Sequence, residues 1–89
     1  MPFNTLKWYR IAVEQYASIA LLRLGWMYID EKGVEKSDEV AFKWFLDSAE
    51  LGNKEAQSIV SMLYRTGRGV AQSDFVADKW DKLSSPGIY

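Results

Sequence analysis

Imidazole and thiol are the side chains that most readily do chemistry near neutral pH, and this sequence contains no His and no Cys. That removes imidazole bases, thiolate nucleophiles, disulfide bridges and ordinary zinc sites. Serine and threonine remain, but a Ser-His arrangement is impossible without the base that activates the hydroxyl. Lysine could serve as a base, and nothing in the pattern marks one. Asp47 with Glu50, and Asp30 with Glu31, lie close enough in sequence to suggest acid–base pairs. Such pairs need one member desolvated to separate the two pKa values, whereas these fall on helix surfaces or in a loop and read as a solvated face. Gly67-Arg68-Gly69 has the glycine N–H groups of an anion-binding turn. It is too short for a phosphate signature, and Gly33-Val34 repeats part of it, so it reads as a structural turn. The sequence predicts no catalytic residue, no cofactor site and no metal site, and therefore no enzyme.

The elements that position the remaining side chains come from a repeat. Trp8, Trp44 and Trp80 are spaced by 36 residues, and each follows a lysine, Lys7, Lys43 and Lys79. The same offset pairs Glu14 with Glu50, Ala20 with Ala56, Tyr28 with Tyr64, and Gly33-Val34 with Gly69-Val70. It also pairs Ser37-Asp38 with Ser73-Asp74 and Val40-Ala41 with Val76-Ala77. A period of this length is one helix-turn-helix unit, so the chain is predicted to be a stack of such units, each covering its neighbour's apolar face. Ser37 and Ser73 are placed to cap helices whose first turns carry Asp38, Glu39 and Asp74. Gly52 suits the left-handed position after a helix, and Asn53 can cap the next one. The expected helices run from about Asn4 to Gln15, Ala17 to Asp30, Ser37 to Leu51, Asn53 to Thr66 and Ser73 to Leu83. The fold class is all-α, an α/α superhelix of about five helices. A single domain, 1–89, divides into a leading helix (3–15), a first repeat (16–51), a second repeat (52–84) and a tail (85–89).

Composition bounds the function. The 89 residues allow one modest core, and the hydrophobic share of 48% and aromatic share of 15% are those of a folded chain. Eleven Lys and Arg against twelve Asp and Glu give a formal net charge of −1 with both signs scattered, so no electrostatic footprint for nucleic acid is present. The densest apolar stretch, Ala17 to Ile29, is interrupted by Arg23 and falls short of the ~20 residues that span a bilayer. The N-terminus lacks the basic-then-apolar order of a signal peptide. A soluble, cytoplasmic chain is expected.

Taken together, Ala20, Leu24-Gly25, Met27-Tyr28, Gly33-Val34, Asp38, Ala41 and Trp44 in one unit resemble the Sel-1-like repeat family, a relative of tetratricopeptide repeats. Ala56, Leu63-Tyr64, Gly67-Arg68-Gly69-Val70, Asp74, Ala77 and Trp80 carry the same likeness in the next unit, and Trp8 to Glu14 resembles the second helix of a preceding one. Three positions depart from the pattern: Glu31 replaces the first glycine of a turn, Ser61 stands where Gly25 does, and Tyr16 occupies the position of Gly52. A tyrosine in a left-handed conformation would be strained. The alanines Ala20, Ala41, Ala56 and Ala77, with Tyr28, Tyr64 and the three repeat tryptophans, are expected to be structural.

The resemblance implies a protein-interaction module in which the first helix of each hairpin lines a concave groove. By register that groove would comprise Ile19, Leu22, Trp26, Ile29 and Asp30, then Glu55, Ser58, Met62, Arg65 and Thr66. The alternative for Leu22, Trp26 and Ile29 is that they finish the core. A second reading is self-association or a capping role in a larger assembly. Two and a half units fall short of the roughly three that a repeat array needs, and Phe3, Leu6, Tyr9 and Ile11 leave an apolar face on the leading helix. The expected partner is another protein or peptide, or a second copy of the chain.

Overall fold

The computed structural model describes residues 5–29 and 37–84, with side chains from Arg10 onward. Four helices fill these residues: α1 (Thr5–Ile29), α2 (Asp38–Glu50), α3 (Lys54–Thr66) and α4 (Asp74–Ser84). No strand occurs among them. Consecutive helices pack against one another, α1 on α2, α2 on α3 and α3 on α4, which is the layout of a helical repeat array.

The helix ends follow from local chemistry. Ser37 Oγ accepts the Val40 N–H and Ser73 Oγ accepts the Val76 N–H, each at 3.2 Å, so the two serines cap α2 and α4 as expected. Gly52 is left-handed with φ 98. Its N–H donates to the Ala49 carbonyl at 3.0 Å, while the Asn53 N–H donates to the Ser48 carbonyl at 3.2 Å, and this pair of bonds closes α2. Asn53 then opens α3 by accepting the Ala56 N–H at 2.9 Å. The repeat extends to the loops. Ser37 N–H bonds to the Tyr28 carbonyl at 2.9 Å, and one period later Ser73 N–H bonds to the Tyr64 carbonyl at 2.8 Å.

The core lies between the helices around Phe45, Val60, Leu63, Ala41 and Ala56, all fully buried, with Leu22, Ile29, Phe42, Ala49 and Ile59 closing over them. Gly25 permits the close approach of α1 to α2, since a Cβ there would lie 2.7 Å from the Phe45 ring. The hydroxyl of Ser48 donates to the Ser18 carbonyl at 2.6 Å and Gln57 Nε2 donates to the Ala49 carbonyl at 3.1 Å, tying α1 and α3 to the end of α2. Trp80 packs against the core, and Trp44 is half-buried with its indole N–H buried and unpaired. The Trp8 side chain lies outside the described residues.

Two expectations are corrected. The leading helix and the first helix of unit one are one continuous 25-residue helix, so four helices replace the expected five and no break occurs near residue 16. The cause is local. Where the α2–α3 turn has Gly52 in a left-handed conformation followed by the cap Asn53, α1 has Tyr16 and Ala17, which supply neither the conformation nor the capping oxygen. Ala20, expected to pack like Ala41, Ala56 and Ala77, is exposed. With the helix unbroken, the leading segment does not fold back to cover it.

Candidate interaction surface

The residues placed by register on the first helix of each hairpin separate into three groups. Leu22 and Ile29 point inward and belong to the core cluster. Ile19, Trp26 and Met62 are 44%, 43% and 48% exposed, large apolar side chains left in water on α1 and α3. Glu55, Ser58, Arg65 and Thr66 are exposed polar neighbours. Asp30 lies outside the described residues.

Helical spacing explains the division. Ser18, Leu22, Gly25 and Ile29 recur at three- and four-residue intervals and form the stripe of α1 that α2 covers. Ile19 and Trp26 lie one step around the helix from that stripe. Trp26 is anchored nonetheless, its ring meeting Phe45 edge-on at 5.4 Å between centroids. A ring held on one side by the core and open on the other presents area without further loss of rotamer freedom, which suits a binding anchor.

Arg65 is less free than its position in the sequence suggests. Its Nη2 lies 3.2 Å from Asp78 Oδ1 and 2.7 Å from Asp81 Oδ2, both on α4. The hydrogen bond to Asp78 first, and that to Asp81 after it, raise the guanidinium pKa above its ordinary value. Arg65 thus joins α3 to α4 in addition to bordering the surface.

Arg68 and Asp38 emerge as members of the surface that sequence reasoning assigned only to turns and caps. Arg68 Nε lies 3.2 Å from Asp38 Oδ1, and its Nη2 reaches the Ile29 carbonyl at 3.5 Å, so it clamps the end of α1 to the start of α2. Beside it Met62 and Thr66 open into a shallow depression of about 490 Å³, also lined by Asp38, Gly67, Arg68 and Gly69. The repetition of the Gly-containing turn hides this role, because position 68 acquires its partners only when the end of α1 and the start of α2 come beside it.

The leading-helix positions named for self-association divide similarly. Leu6 and Tyr9 lie on α1 with side chains outside the described residues, Phe3 falls before them, and Ile11 is exposed. Asp47 and Glu50 are both exposed, as a solvated face requires. Among the described residues no helix is long and apolar enough to cross a membrane.

A family model described as Sel1 repeat matches residues 18–53 and 54–77, two adjacent segments whose starts, Ser18 and Lys54, are one repeat apart. The fold is similar to that of a Sel1 repeat protein from Oxalobacter formigenes known from a crystal structure, with a TM-score of 0.74 and 33% sequence identity. The likeness covers 79% of this chain and 28% of that one, so the present chain spans little more than a quarter of that protein's length. No curated protein matches the chain.

Proposed function

Because the chain belongs to the Sel1 repeat family, we propose that it is a protein–protein interaction module whose partner docks along the face of α1 and α3. Sel1 repeats generally mediate protein interactions, and proteins built from them are typically scaffolds without catalytic activity. The observation that carries the finer reading is the exposure of Ile19, Trp26 and Met62 at the register-derived positions, while Leu22 and Ile29 beside them are buried. A segment with apolar anchors, helical or extended, would cover these three, and Glu55, Ser58 and Thr66 would form its polar border. A standard interface takes about 800 Å² from each partner, and two hairpins supply that with difficulty. Affinity through this face alone is therefore expected to be weak.

The test is an Ile19→Glu, Met62→Glu double substitution, chosen because both side chains reach solvent and neither contributes to the core. Circular dichroism should show the helix content of the unaltered chain, and a partner recovered by co-purification should be lost. A folded double variant that retains the partner would show that binding uses another face.

A further inference from the structure

Two repeat registers share the one rod of α1. From Ser18 onward it is equivalent to α3, and before that the Lys-Trp spacing makes it equivalent to α2 and α4. One repeat later the same two registers, α2 then α3, fold back on each other at Gly52 and bury their facing sides. Phe42 meets Tyr64 edge-on at 5.3 Å, Gln57 Nε2 reaches the Ala49 carbonyl at 3.1 Å, and Ala49, Ala56 and Leu63 are buried. In α1 three of the equivalent positions stand in water, while Leu21, for Gln57, and Tyr28, for Tyr64, are half-buried. Val13, for Ala49, is 57% exposed; Met27, for Leu63, is 44% exposed; and Ala20, for Ala56, is exposed. The chain thus carries both sides of a helix-on-helix contact on a helix that cannot bend to join them.

We propose that a second copy of this chain completes the contact. The two α1 helices pair antiparallel, each first half lying on the partner's second half as α2 lies on α3. Moving the two observed pairings back by one repeat sets Leu6 opposite the partner's Tyr28 and Val13 opposite the partner's Leu21. Both pairs are centred on Ala17, which is also the midpoint of Thr5–Ile29. A two-fold axis beside Ala17 therefore overlaps the helices end to end, and the assembly closes as a dimer because the same patch serves both copies. Each helix is about 38 Å long, so the paired surface runs the whole length of α1. The face used carries Val13, Ala20, Leu21, Met27 and Tyr28 and is distinct from the Ile19 and Trp26 stripe, so the dimer leaves the proposed docking face open.

Engineered thiols test this cleanly in a chain that has none of its own. The full chain would carry Val13→Cys and Ala20→Cys. Within one straight helix these positions lie about 10 Å apart, beyond the ~7 Å between Cα atoms that a disulfide can bridge. Oxidation is expected to give a covalent dimer without free thiols, and sedimentation of the unaltered chain should give twice the monomer mass. A second variant, Tyr16→Gly with Ala17→Asn, restores the turn chemistry of Gly52 and Asn53. It should sediment as a monomer of similar helix content, and the same cysteine pair placed in it should close within one chain. An unaltered chain that stays monomeric across a dilution series overturns the proposal. So does a dimer in which the cysteines remain free, or an intrachain disulfide in the Tyr16 parent. None of these outcomes bears on the Ile19 and Met62 reading, which has its own variant.

Discussion

Gly69 packs its Cα against the carbonyl of Asp38 at the start of α2, with φ 79, and a Cβ there would overlap that oxygen. Gly69→Ala carries the left-handed penalty of roughly 1–2 kcal/mol and also pushes the turn off α2. Urea unfolding should show a loss at least that large. Gly25→Ala drives a methyl group into the Phe45 ring and should cost about 1–3 kcal/mol, measured in the same way. Asn53→Ala removes the cap of α3 and should cost about 1 kcal/mol. The sequence revealed part of this. Gly69 and Asn53 announced themselves by turn chemistry and by the offset that pairs Gly69 with Gly33. Gly25 stood out only through the family resemblance, because its equivalent is Ser61 and the demand for a bare Cα comes from a ring twenty residues away.

At the scale of elements, α2, α3 and α4 fall where capping and periodicity place them, and α1 does not. A repeat argues for a turn wherever the period puts one, whereas local chemistry permits a turn only where a residue can take positive φ and another can cap. At Tyr16-Ala17 the two disagree, and local chemistry prevails. The substitution of tyrosine for glycine was visible in the sequence, but its consequence depends on whether strain or continuation is cheaper, and continuation of a helix through tyrosine and alanine costs little. The junction of α1 with α2 depends heavily on one ring. Phe45 is wholly buried and meets both Gly25 and Trp26. Phe45→Ala should lower unfolding free energy by about 3–5 kcal/mol, a large share of the roughly 5–15 kcal/mol a domain has, and the urea midpoint should fall accordingly.

As a whole the molecule is a flat slab, 49 by 39 by 16 Å. Its radius of gyration is 14.8 Å, against about 12 Å for a compact chain of this length, as expected when helices stack side by side in an array. The candidate surface was half legible in the sequence: the register located Ile19, Trp26 and Met62, while the inward turn of Leu22 and Ile29 and the engagement of Arg65 depend on how α2 and α4 sit. That engagement has a measurable sign. Arg65, Asp78 and Asp81 are all substantially exposed, so Asp78→Asn with Asp81→Asn should lower the melting temperature slightly at low salt and hardly at all at 1 M salt, where screening has already removed the attraction. Asn53, finally, terminates one helix with its N–H and begins the next with its side chain. A protease nick or an inserted residue beside it would release both ends at once, whereas Ala71 and Gln72 lie exposed in the longer connection that follows α3. New chain termini or a peptide tag can be introduced there with the α2–α3 joint left whole.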